Sequence, residues 1–409
     1  MLPVDRLPSA PDEPPIALLA GVKVLDLTTS IAGPYCSMLL ADMGAEVVKI
    51  ERPGRGDDAR AWGPPFLGGE SLWFVSVNRN KHSVTLDYGA EAGRPVLHDL
   101  VRACDVILVN LVQRAQVKLG VDAAALASVR PDLVHVSITG FGLDGARKDM
   151  TCYDLIAEGY SGVMDVTGEA ASDPQKIGTP AADLIAGMDA AYATLAALLD
   201  RARSGRGHRI DISMIDSMTR FMAPRIVPYL GSGDVPQRTG AKDSVIAVYQ
   251  TFAAADGMMT LGLGNDGIWQ RFWAAVGRPE YGADPRFATS AKRHAARAEI
   301  VAEIAALLKA RPRAHWLALF AEHKVPAGPV NRIDEVSADP LLIGRGLFYA
   351  VEARGKRIPQ VGLGVTVDGS SASLRSPPPA LGEHTERVLG EWLGYDSRRL
   401  DALRSAKVI

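Results

Sequence analysis

Strand-like and helix-like runs alternate from residue 22 to residue 211, and this alternation constrains the fold more than any other feature of the chain. Parallel strands need crossovers long enough to hold a helix, so the pattern spells a parallel sheet covered by helices. "VKVLDL" and "EVVKIE" are two short β-branched runs; between them "GPYCSMLLADMG" sets Pro34 at a first helical position and ends on Gly44. The pattern continues through "SVTLDY", the helical "GRPVLHDLVRAC", "DVILVN", a short helix at "DAAALASV" and "LVHVSITGFG". A long helix and one more strand, "HRIDISM", follow. The expected fold class is α/β, a Rossmann-like large domain over residues 19–224, with ligand loops at the carboxyl ends of its strands.

Past residue 224 the texture changes. "VIAVYQTFAAADGMMTLGLG" reads as two strands joined at Asp256 and Gly257, followed by helical stretches near "WQRFWAAV", "AEIVAEIAALLKA" and "HWLALFAEH". Residues 225–330 are expected to form a second, smaller α+β domain. Residues 331–409 are too short for a core of their own and are expected to return to the large domain. Residues 1–18 read as a loose arm.

Composition removes several function classes. Lys and Arg total 45 against 47 for Asp and Glu, giving a formal charge of −2, and no long basic run marks a polyanion partner, so nucleic-acid binding is disfavoured. Cys36, Cys104 and Cys152 are odd in number and lack CxxC spacing, which fits a reducing cytoplasm. The N-terminal stretch carries acids and five prolines where a signal peptide needs a basic start and an unbroken apolar core. No later segment reads as about 18 uncharged apolar residues, so a soluble protein without a membrane partner is expected.

Familiar catalytic motifs are missing. The histidines at 82, 98, 135, 208, 294, 315, 323 and 384 include no HExxH and no close helical pair, so no metal site is expected. "GYSGV" around Ser161 lacks the GxSxG spacing of a nucleophile elbow. "GRGDDA" at residues 54–59 lacks the P-loop lysine and reads as a solvated loop in which Arg52 or Arg55 could meet an anion.

Asp183 stands out within "GTPAADLIAGMDAA". It immediately precedes an apolar stripe of Leu184, Met188, Ala191 or Tyr192, Leu195 and Leu198 or Leu199, where it could cap a helix at a gain of about 1 kcal/mol. The same position could also hold an ionised carboxylate on a rigid element, as a nucleophilic acid requires. Pattern alone leaves both readings open.

Several longer stretches resemble the class III coenzyme A transferases, the family of formyl-CoA transferase and carnitine CoA-transferase. They include "LAGVKVLDLTTSIAGPYCSMLLADMGAEVVKIERPGRGDDAR", "YDLIAEGYSGVMDVTG", "GTPAADLIAGMDAAYATLAALLDRARSGRGHRIDISMID", "VPAGPVN" and "PPPALGEHTERVL", in that order from about residue 19 to the C-terminus. The resemblance implies an interlocked homodimer and makes Asp183 the nucleophile. Its carboxylate would attack a thioester to give a mixed anhydride, and CoA thiolate would then convert it to an aspartyl-CoA thioester. Coenzyme A and acyl-CoA would act as substrates, with no permanently bound cofactor.

The same resemblance assigns CoA contacts to Ser30, Ile31, Arg52, Leu86, Asn110, Leu111, Lys118 and Tyr153. Arg52 and Lys118 would lie near phosphates, and Leu86, Asn110 and Leu111 in the adenosine pocket. Formyl-CoA transferase has glutamine where Ile31 stands, and "LVQR" replaces the usual residues after Asn110. Gly262, Gly264 and Asn265 fall in the loop 261–267 expected to cover the acyl group. Asp243 and Val248 replace a histidine and a proline of many members ahead of that loop.

Racemases of the same superfamily carry histidine where this chain has Tyr153. A tyrosine hydroxyl is a poor base for an α-proton at neutral pH, so transfer is favoured over racemisation. "RAWGPPF" and "VNRNK" look most like members handling short dicarboxylates, which points to a succinyl-CoA donor and a small diacid acceptor. The alternatives are a 2-methylacyl-CoA racemase and a non-catalytic CoA-binding dimer.

Overall fold

The computed structural model describes residues 2–409. Six strands form the main sheet: β1 (Lys23–Asp26), β2 (Glu46–Glu51), β3 (Lys81–Thr85), β4 (Val106–Val109), β5 (Val134–Thr139) and β6 (His208–Ser213). Their order is β3-β2-β1-β4-β5-β6, and every neighbouring pair is parallel. The chain is thus mixed α/β, with small antiparallel sheets besides this large parallel one. Strand order reverses between β1 and β4, and in open sheets of this kind the crevice at the carboxyl ends there takes ligands.

The two faces of the sheet carry different residues because side chains alternate along a strand. Leu25, Val48, Val84 and Ile107 point to one face, where they join Val96 and Leu100 of helix α2 (Gly93–Ala103) in a single core. The same core takes in Val388, Leu389 and Leu400 from two C-terminal helices, Thr385–Leu393 and Ser397–Ser405. The alternate positions Asp26, Lys49, Lys81 and Ser83 are buried and polar. Of these, Asp26 and Lys81 meet α1 (Ala32–Asp42), whose Ser37 donates to Asp26 and whose Pro34 carbonyl accepts from Lys81.

Further along lie α3 (Gln113–Leu119), α4 (Asp154–Ser161) and α5 (Ala181–Ser204). α5 packs on α1, β5 and β6. The buried side of α5 is made of small residues, Ala182, Ala186, Gly187 and Ala190. A Cβ on Gly187 would stand 2.6 Å from the Ala32 carbonyl oxygen, so only glycine permits this approach. The expected buried stripe is corrected: Met188, Tyr192, Leu195 and Leu199 lie on the exposed side, because alanines make the close helix contact. α5 is the one helix among the described residues long and apolar enough to cross a bilayer by length and composition, but it carries Asp183 and Asp189 and packs its alanine side into the fold.

Two compact units divide the chain. The first runs through Val163 and takes in Lys176–Gly231 and Ser337–Ile409; the second comprises Met164–Gln175 and Ser232–Val336. Within the second, Gly240 N–H donates to the Gly168 carbonyl and Arg238 to Asp165, which is why residues 164–175 go with it. Its core is aromatic, built on Trp269, Phe272, Trp273, Phe287 and Phe320. Residues 2–18, expected to be loose, are held down: Val4 and Ile16 are buried, Ala350 N–H donates to Pro8, and Arg357 donates to Leu7.

Candidate functional site

Asp183 sits in the first turn of α5, at its third residue rather than before it. Pro180 occupies the cap position and supplies no side-chain acceptor. The cap comes from α4 instead, where Asp154 Oδ1 accepts the N–H of Ala182 at 2.8 Å and of Asp183 at 3.2 Å. The expectation that Asp183 itself caps the helix is therefore corrected, because Asp154 already satisfies those donors.

Its ionisation also differs from the expectation of a readily ionised acid. Burial pushes the Asp183 carboxyl up to about 7, and the neighbouring Asp154 charge raises it further in the same direction. A helix N-terminus favours a carboxylate by about 1 kcal/mol at most exposed sites, whereas a rise from 3.8 to about 7 corresponds to about 4 kcal/mol. Burial and like charge win. Near neutral pH this leaves a fraction of carboxylate that is more basic than an ordinary aspartate, which suits attack on an acyl carbon.

The loop after β1 is fixed from three sides. Lys49 Nζ donates to the Thr28 carbonyl at 2.7 Å and pairs with Asp57 at 2.8 Å, both side chains being fully buried. Asn110, at the end of β4, uses its whole amide on Thr29, accepting its N–H at 3.2 Å and donating to its carbonyl at 2.9 Å. Asp57 Oδ1 accepts Ser30 N–H at 2.9 Å. These bonds hold Ser30 at φ 72°, a left-handed backbone that a serine adopts only when its surroundings over-determine it. Lys49 and Asp57 escaped sequence reasoning because charged residues inside strand-like and loop-like runs look solvated.

Ile31 turns its side chain away into a buried cluster with Met38 and Val77, against which Leu184 packs. The loop after β1 and the first turn of α5 are thereby linked through apolar contact. Only its backbone remains available to a ligand at Ile31. Leu111 is half-buried and packs at the edge of the main core, while its carbonyl accepts from Gln116. Tyr153 is 67% exposed and stands just ahead of α4.

Arg52 and Leu86 meet in a cleft of about 620 Å³ beyond the carboxyl ends of β2 and β3. Arg55, Tyr88, Leu119 and Lys407 complete its walls. Lys118 lies one residue before Leu119 and outside the lining. Lys407 was missed in the sequence, since a lysine near the C-terminus has no local signature of its place in the fold.

In the second unit Gly262 ends β8 (Met258–Gly262), which pairs with β7 (Tyr249–Ala253). Asn265 caps the helix Asp266–Ala275, accepting Ile268 N–H at 2.9 Å, and Gly264 has open space where a side chain would stand. Val248 is buried, and its carbonyl accepts Leu263 N–H. Asp243 Oδ1 accepts the N–H groups of Val245 and Ile246, so it shapes a turn where many members have histidine. Among the described residues no group of three His, Cys, Asp or Glu side chains is arranged to hold a metal ion.

Comparison with known proteins shows the family. The model of CoA-transferase family III matches residues 19–385. The chain is 37% identical over 380 residues to succinate–glutarate CoA-transferase of Agrobacterium fabrum, covering 91% of this chain and 95% of the relative. It is 35% identical over 393 residues to succinyl-CoA:glutarate CoA-transferase of Homo sapiens, covering 96% and 90%. A CAIB/BAIF family protein from Brucella suis superposes with TM-score 0.81 at 37% identity, covering 92% of this chain and all of that one. The chain belongs to CoA-transferase family III and is a CoA-transferase.

Proposed function

We propose that the enzyme moves coenzyme A from succinyl-CoA to a short dicarboxylate through covalent intermediates on Asp183. The observation that carries this reading is the half-buried Asp183 carboxyl, raised to about 7 on the first turn of α5. The names of the relatives, which act on succinate or succinyl-CoA and glutarate, support the choice of donor and acceptor.

In the proposed sequence an Asp183 oxygen attacks the thioester carbonyl and the C–S bond breaks, giving an aspartyl–succinyl anhydride and CoA thiolate. The thiolate attacks the aspartyl carbonyl, succinate leaves, and an aspartyl-CoA thioester remains. The acceptor carboxylate attacks that thioester, releasing thiolate and forming a second anhydride. Thiolate then attacks the acceptor's carbonyl, so the new thioester departs and Asp183 regains its carboxylate. Each intermediate keeps the activation that water would destroy, and the half-buried position of Asp183 limits that loss.

Within this reading CoA lies along the carboxyl edge of a Rossmann-like sheet, with its phosphates toward Arg52 and Lys118 and its pantetheine over Ser30 and the Ile31 backbone. Asn110 and Leu111 shape that crevice, and Tyr153 stands near the reacting end. The loop with Gly262, Gly264 and Asn265 covers the acyl group. A homodimer is part of the proposal: Met188, Tyr192 and Leu199 on α5, each more than half exposed, form an apolar face of the kind that a second subunit covers. Cytoplasmic residence accords with three unpaired cysteines, two of them buried.

The test is exchange. Purified protein with succinyl-CoA and glutarate, or another short diacid, should release succinate and form the new thioester, read by liquid chromatography and mass spectrometry. Exchange with monocarboxylates alone would overturn the acceptor class. Deuterium entering the α-carbon of a 2-methylacyl-CoA without any exchange would favour racemisation.

A further inference from the structure

We infer that Lys407 binds the 3′-phosphate of coenzyme A, working with Arg52 across the cleft at the carboxyl ends of β2 and β3. The inference rests on the CoA-transfer reading above and names a contact that the family resemblance leaves unassigned.

Three cations line this cleft, Arg52, Arg55 and Lys407, together with one acid, Asp87. Two of these charges are already engaged. Arg55 pairs with Asp58 at 2.8 Å, and Asp87 Oδ1 accepts the N–H groups of Gly89 and Ala90 in the turn after β3. Among the described residues neither Arg52 nor Lys407 has an ion-pair partner. Two unpaired cations facing one cleft ask for a compact dianion, and a phosphomonoester supplies it, with oxygens for both.

Lys407 is held in place for this. It adopts a left-handed backbone, φ 56°, which costs a non-glycine residue about 1 kcal/mol and persists only under constraint. The constraint is visible on both sides: Lys407 N–H donates to Arg404, and Val408 is buried in the main core. The Val408 carbonyl accepts Asp87 N–H at 2.8 Å, sewing the C-terminal chain to the cleft's own turn. A lysine on a free tail would need none of this.

The location fits a molecule with two distant ends. The cleft lies at β2 and β3, whereas Asp183 lies in the first turn of α5, which packs on α1, β5 and β6 and sets Leu184 against Ile31 in the loop after β1. A nucleotide end and a thioester end joined by a long flexible arm suit these two places, with the arm crossing the loop at Ser30.

Isothermal titration of the full-length protein with CoA and with 3′-dephospho-CoA tests the inference. Lys407→Asn keeps a residue tolerant of left-handed backbone, and Lys407→Arg keeps the charge. The expected result is about tenfold weaker CoA binding for Lys407→Asn, unchanged binding of 3′-dephospho-CoA, and near wild-type affinity for Lys407→Arg. Unchanged CoA affinity in Lys407→Asn overturns the inference alone, as does an equal loss for both nucleotides. Wild-type protein that binds neither nucleotide overturns the CoA reading as well.

Discussion

The carboxylate of Asp154 accepts the backbone N–H of Asp183 at 3.2 Å, so one acid caps the helix that presents another. The arrangement fixes the backbone of Asp183, the proposed nucleophile, and sets a negative charge beside its side chain. Asp154 thus acts on both the position and the basicity of Asp183, the larger part of the rise coming from burial.

A pH dependence follows. Asp183 reacts as carboxylate, and burial with the Asp154 charge holds its carboxyl at about 7, so kcat/KM for the acyl-CoA should fall as pH drops through that value. Asp154→Asn removes the like charge and should move this acid limb to lower pH, while burial keeps it above the ordinary aspartate range. A limb that stays in place in the variant would dissociate Asp154 from the nucleophile's basicity.

Stability should carry the opposite signature. The folded chain holds the Asp183 proton up to about 7 and the unfolded chain only to 3.8, so stability declines as pH rises through that window. Asp183→Asn lacks the penalty. In the ligand-free enzyme it should be the more stable protein at pH 8, by up to about 4 kcal/mol, with the difference vanishing below about pH 4. Denaturant titrations at the two pH values check this; equal stability at both would contradict the assigned burial.

Asn110 holds the loop after β1 through its side-chain amide. Asn110→Ala removes both bonds to Thr29 and leaves that peptide half-buried without its partners, at a cost of about 1–3 kcal/mol. KM for the acyl-CoA should rise several-fold with a smaller change in kcat, because Asp183 is untouched. A loss confined to kcat would move Asn110 to the reacting end.

Much of the sheet was legible from β-branched runs and their spacing, since parallel strands buried on both faces are written as nearly continuous apolar segments such as Val106–Val109. The polar layer beneath them was not. Lys49 meets Asp57, and Lys81 meets Asp26, only after β1, β2 and β3 align, and no local pattern announces a buried lysine. Asp183 could be singled out by its surroundings, but its true cap lies 29 residues earlier at Asp154. The outward stripe on α5 misled for a related reason: apolar periodicity reports that a face is covered, and here the single chain does not cover it.

The central claim is tested most directly on Asp183 itself. Enzyme incubated with succinyl-CoA, trapped with hydroxylamine or borohydride and mapped by peptide mass spectrometry should carry its modification at Asp183, and Asp183→Ala should lose both modification and exchange. A label on another residue, or full exchange activity in Asp183→Ala, would contradict the account.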